Sequence, residues 1–161
     1  MTIKNELDRN LIKAVQDEDL NKVKRLINEG ASFDFCNHFP LKEAVERGYL
    51  EIVKYLVDCG ADIRTEDDYC LCWSANYNRL EVVKFCLEHS ANITASNNFP
   101  LRYAARNGHL EMVKFLVKNG ADITIIKECD DKLIKSWVHM VLLSDELKHP
   151  NQKIPPNKVK I

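Results

Sequence analysis

The sequence predicts an all-α solenoid, a row of stacked helix-turn-helix units closed by a further helix. Three observations predict it. Leu20, Leu50, Leu80 and Leu110 stand thirty residues apart, each inside a similar local text, and self-similarity at such a period marks stacked supersecondary units. Within each period two short stretches repeat apolar residues at helical spacing. Most of these stretches end in a glycine, a residue suited to the left-handed turn that closes helices.

The second unit, residues 34–63, displays the pattern most plainly. Leu41, Ala44 and Val45 form the stripe of a first helix that stops at Gly48, and Ile52, Val53, Leu56 and Val57 form that of a second, closed by Gly60. Helices this short are marginal alone in water, so each unit must be covered by its neighbours. The same frame returns in residues 64–93 and 94–123. The first unit, residues 1–33, departs from it in the direction a terminal unit requires. Asp17-Glu18-Asp19 replaces Arg47-Gly48-Tyr49, and Lys22, Lys24 and Arg25 crowd the following helix, giving the polar outer face of an N-terminal cap. A helix is expected over residues 5–16.

After Ile123 the period fails, because Asp131 takes the place of Leu101 and Val138 that of Gly108. Leu133, Ile134, Trp137, Val138, Val141 and Leu142 still trace a helical apolar stripe. A capping helix is expected over residues 129–147 within a closing segment, 124–148. Its first task is to cover the last unit, with partner binding as the alternative. Residues 149–161 are proline-rich and poor in apolar side chains, the composition of a flexible tail.

From Gly108 to Ile123 the chain reads GHLEMVKFLVKNGADI, preceded by FPLRYAARNG. These texts closely resemble the two halves of an ankyrin repeat, and the resemblance extends over four units, roughly residues 11–123. Ala14, Ala44, Ser74 and Ala104 fill the family's small-residue slot. Two departures stand out. The period is thirty rather than about 33, with the shortening confined to the finger loop. In addition, the Thr-Pro-Leu-His opening reads Phe39-Pro40-Leu41-Lys42, Tyr69-Cys70-Leu71-Cys72 and Phe99-Pro100-Leu101-Arg102. Losing the threonine removes a helix cap, at about 1 kcal/mol each. Phe39, Tyr69 and Phe99 either offset this by burial between units or form an exposed contact ladder. Short fingers with an aromatic residue in the threonine position most resemble the ankyrin proteins of giant amoeba-infecting DNA viruses, of the mimivirus type.

Composition narrows the function. A net charge of -1 gives no general attraction to nucleic acid or anionic membrane. No stretch approaches the roughly 20 apolar residues of a membrane span, and the N-terminus lacks a signal-peptide run. A soluble, intracellular, monomeric protein is expected. Cys36, Cys59, Cys70, Cys72, Cys86 and Cys129 are scattered without metal-ligand spacing and are read as reduced structural thiols. Neither a phosphate loop nor a nucleophile elbow appears. No cofactor, metal or catalytic residue is therefore assigned.

What the resemblance implies is a non-catalytic module that binds a host or viral protein on the concave face, made by the finger loops and inner helices. Carried over slot by slot, that face holds Gln16 and Asp17, then His38, Glu46 and Arg47, then Asp68, Asn76 and Tyr77, and finally Asn98, Arg106 and Asn107. Shorter fingers shift the expected contact toward the inner helices. One alternative makes the chain an adaptor whose C-terminal segment recruits ubiquitination machinery, Ile154-Pro155 being faintly similar to the start of the truncated F-box of poxvirus ankyrin proteins. A more distant one is an enzyme, tested at Cys72 or His109.

Overall fold

The computed structural model describes residues 6–148, except the side chains at 35–37 and 145–148. Both the first five residues and the expected tail at 149–161 lie outside the described residues. Helices alternate along the chain: α1 (Glu6–Gln16), α2 (Leu20–Asn28), α3 (Phe35–Arg47), α4 (Leu50–Asp58), α5 (Thr65–Asn76), α6 (Leu80–Glu88), α7 (Ala95–Arg106) and α8 (Leu110–Lys118). A 3-10 turn, Ile123–Ile126, leads to α9 (Lys132–Lys148). There is no strand among the described residues. The odd-numbered helices α1, α3, α5 and α7 pack side by side as an inner row. Across from them each is paired with the next helix, and α2, α4 and α6 make an outer row.

The repeat is visible in what is buried. Leu11, Leu41, Leu71 and Leu101 are fully buried in one slot of the inner row, as are Ala14, Ala44, Ser74 and Ala104 in the next. Small side chains there let adjacent inner and outer helices approach. Ser74 keeps its hydroxyl satisfied by donating to the carbonyl of Leu71, 3.1 Å away, so its burial carries no orphaned donor. In the outer row Val23, Val53, Val83 and Val113 share one buried slot, and Leu26, Leu56, Cys86 and Leu116 another. Cys86 thus fills space as a small hydrophobe. Lys22 sits where Ile52, Val82 and Met112 are buried later, which is what makes α2 a polar terminus.

Both turns of each unit are closed by the same hydrogen bonds. The N–H groups of Asp19, Tyr49, Arg79 and His109 donate to the carbonyls of Ala14, Ala44, Ser74 and Ala104 at 2.7–2.9 Å. Before each donor stands a residue of positive φ: Glu18, Gly48, Asn78, Gly108. At Gly48 a Cβ would also meet Arg79 Cδ at 2.7 Å, so this glycine answers to both backbone and neighbour. Asp19 caps α2 through its carboxylate, which accepts from Lys22 N–H at 2.9 Å. None of the other outer helices has a side-chain cap, and burial of their apolar stripes must hold them.

The short finger segments take a defined conformation. Instead of an extended loop the chain makes one left-handed turn, through Glu66, Asp67 and Asp68 (φ 51°, 54° and 59°) and again through Ser96, Asn97 and Asn98 (φ 47°, 58° and 61°). Asp and Asn tolerate this region better than most residues. The right-handed part of α5 and α7 therefore begins at Tyr69 and Phe99, which puts Pro100 in a first turn, where its missing N–H costs nothing.

The closing helix begins at Lys132 rather than near Cys129, because Asp131 caps it. Its carboxylate accepts from the N–H groups of Leu133 and Ile134 at 3.0 and 2.9 Å. Ile134 and Val138 are buried, and α9 packs on α8 and the 3-10 turn.

Candidate functional site

The outward slots of the inner row form one face, and its two halves differ in chemistry. On α3 the outward side chains are charged and mutually paired. Arg47 Nε donates to Glu43 Oε1 at 2.6 Å, and Lys42 Nζ reaches Glu66 Oε2 of the next unit at 2.7 Å. On α5 the slots of Phe39, Glu43 and Arg47 hold Tyr69, Trp73 and Tyr77, four residues apart and so on one helix face. Ring centroids of Tyr69 and Trp73 lie 5.6 Å apart, and Trp73 stacks on Tyr77 at 5.8 Å.

The rings continue into the next unit. Trp73 meets Phe99 at 5.5 Å across the boundary between α5 and α7, and Phe99 stacks on Tyr103 at 3.8 Å with planes 10° apart. The tilted contact of Trp73 with Phe99 has the separation of an attractive aromatic pair. Tyr77 is 41% exposed and the others are half-buried. The cluster is thus neither a sealed core nor a free ladder: its edges hold two units together while its outer surface stays in contact with water. Trp73 and Tyr103 were not among the residues singled out by slot, although the spacing Tyr69-Trp73-Tyr77 and Phe99-Tyr103 carried the signal.

Cations flank the rings. Lys42 Nζ lies 4.7 Å from the centre of the Tyr69 ring, and the Arg106 guanidinium lies 5.9 Å from that of Tyr103. The Tyr69 hydroxyl donates to Glu46 Oε1 at 2.6 Å. Burial foremost, and then this bond to a carboxylate, raise the Tyr69 phenol above its ordinary range, so it stays a donor at neutral pH.

Several residues assigned to the face turn out to hold the fold. Asp68 is the clearest correction. It is 4% exposed, and its Oδ2 accepts from Asn92 N–H at 3.0 Å, as Asp8 Oδ1 accepts from Ser32 N–H at 3.0 Å one period-pair earlier. The slot points inward in both units, whether it stands in a left-handed turn, as at Asp68, or in a regular helix, as at Asp8. His38 shares this slot and its Nδ1 is buried without a hydrogen-bond partner among the described residues; Asn98 shares it too and is half-buried. Asn76 and Asn107 tie units three and four. Asn107 Nδ2 donates to the carbonyl and Oδ1 of Asn76 at 3.0 and 2.9 Å, and His109 Nε2 donates to the same carbonyl at 3.0 Å. Glu46 also accepts Arg79 Nε on its backbone carbonyl at 2.9 Å. Gln16, Asp17, Arg47, Tyr77 and Arg106 stand exposed on the surface.

Burial pushes the Cys70 and Cys72 thiols up to about 12 and raises that of Cys86 as well, which disfavours the thiolate a nucleophile needs. Among the described residues no group of three or more His, Cys, Asp or Glu side chains is placed to hold a metal ion. No described helix is long and apolar enough to cross a membrane.

A family model of ankyrin repeats in three copies matches residues 4–67 and again 64–127. Comparison with curated proteins returned no match.

Proposed function

Because this chain belongs to the ankyrin-repeat family, whose members generally mediate protein–protein interaction, we propose that it binds a protein partner without turning it over, through the concave face. The observation that carries this reading is the aromatic surface of α5 and α7, where Tyr77 is left 41% exposed on top of Trp73. Tyrosine, tryptophan and arginine are the side chains on which interface energy concentrates. The absence of a protruding finger supports the inner helices as the main contact. A period of thirty and the aromatic residue in the threonine slot favour an origin among giant amoeba-infecting viruses, and hence a host or viral protein as partner.

The test is affinity purification from host lysate with the wild-type chain and with a triple variant, Arg47→Ala, Tyr77→Ala and Arg106→Ala. All three side chains are exposed, so the variant should fold. A protein retained by the wild type and lost by the variant supports the concave face. Equal retention rejects it in favour of the outer row or α9.

A further inference from the structure

Charges on the concave face are not distributed like its rings. Lys42, Arg47 and Arg64 each face a carboxylate, on Glu66, Glu43 and Asp68. The sequence of α7, ASNNFPLRYAAR, contains no acid. Its Arg102 and Arg106 form no ion pair among the described residues. Arg102 Nη1 has only a long bond to the Asn97 carbonyl, 3.3 Å, and Arg106 has the face of Tyr103. Acids of the adjoining elements are engaged otherwise: Asp67 Oδ2 accepts both the N–H and the hydroxyl of Ser96 at 2.7 Å, Asp68 is buried, and Asp131, which lies against Gly108, caps α9. Two exposed cations four residues apart repel each other, and a bound anion would relieve that repulsion.

We infer that the α5–α7 half of the concave face binds an acidic peptide segment, which lays an aromatic or aliphatic side chain on Trp73 and Tyr77 and directs its carboxylates to Arg102 and Arg106. The inference rests on the concave-face reading above and adds the chemistry of the partner. Guanidinium groups suit this role because their fork of N–H donors matches a carboxylate. Ring surface beside them supplies apolar area that a charged peptide alone would not use. On α3 the same slots carry both signs already paired, so the acidic segment has no reason to extend there.

A random-peptide display library is selected against the full chain, and the enriched peptides are then synthesised and titrated by fluorescence anisotropy. Enriched sequences should place Asp or Glu beside Phe, Tyr, Trp or Leu. Arg102→Ala and Arg106→Ala should each weaken binding about tenfold, and added salt should weaken it further. The double reversal Arg102→Glu with Arg106→Glu should select Lys- or Arg-bearing peptides instead. Circular dichroism of these exposed-site variants confirms that folding is retained. Neutral or basic peptides selected by the wild type, acidic peptides indifferent to both arginines, or no enrichment would each overturn the inference. If the selected peptides lack acids yet lose binding on Tyr77→Ala, the concave-face reading survives and only the acidic partner falls. If they are indifferent to Arg47, Tyr77 and Arg106 alike, both fall.

Discussion

Where α3 carries Glu43, α5 carries Trp73 and α7 carries Tyr103, although the slot is the same and the buried neighbours on either side hardly change. Val45, Ala75 and Ala105 follow at one end, and Leu41, Leu71 and Leu101 precede, all buried. In the second unit the outward surface is a self-neutralising pair, Glu43 with Arg47. In the third and fourth it is a run of rings from Tyr69 to Tyr103. The difference teaches that the scaffold constrains its inward slots through packing and leaves the outward ones free. Surface chemistry can therefore be concentrated in one half of the array without altering the other.

The largest expected effect tests the shared part. Leu41→Ala and Leu71→Ala remove equivalent fully buried side chains and should each cost about 2–5 kcal/mol in urea unfolding. Costs differing several-fold would break the claim of a common scaffold. The unshared part comes next. Trp73→Ala should cost about 2–3 kcal/mol, since the ring is half-buried and touches Tyr69, Tyr77 and Phe99. Glu43→Ala in the same slot removes one partly exposed ion pair and should cost less than about 0.5 kcal/mol.

Alkaline pH sharpens the contrast. Cys70, Cys72 and Cys86 all lie in the third unit, and burial raises each above its ordinary value of 9.0. The folded state thus keeps protons that the unfolded state releases above pH 9. Stability is fully present below that value and is lost as pH rises toward about 12, by up to about 1.4 kcal/mol per pH unit for each thiol. Thermal melts at pH 8 and pH 10 should show it, and Cys70→Ala should reduce the slope if its own packing loss is subtracted. A slope unchanged by that substitution would point to other groups.

The smallest effect concerns a turn. Ser90 adopts φ 64° where the other units have Gly30, Gly60 and Gly120. Ser90→Gly should stabilise by about 0.5–1 kcal/mol. Hydrogen exchange in α6 should be faster than in α8, and should slow in this variant. Slower exchange in α6 than in α8 would contradict the placing of the weakest turn in the third unit.

Much of the fold is legible in the text because burial repeats every thirty residues. Leu11, Leu41, Leu71 and Leu101 announce the inner row, and Gly48 and Gly108 its turns, by simple recurrence. The start of α9 was legible only approximately, through the acidic pair Asp130 and Asp131. No repeat frame extends to it, and only the geometry shows Asp131 accepting from Leu133 and Ile134. The face was readable in part. Exposed Arg47, Tyr77 and Arg106 stand where the family resemblance puts them, whereas Asp68 departs from it because its carboxylate is turned inward to the N–H of Asn92.

The most direct test of the central claim compares two variants as bait for the retained partner. Glu43→Ala with Arg47→Ala strips the paired half, and Tyr77→Ala with Arg106→Ala strips the aromatic half. Measured by titration calorimetry on the partner so identified, the first should bind as the wild type does and the second should lose at least about tenfold in affinity. Equal loss in both, or loss confined to the first, would contradict the account.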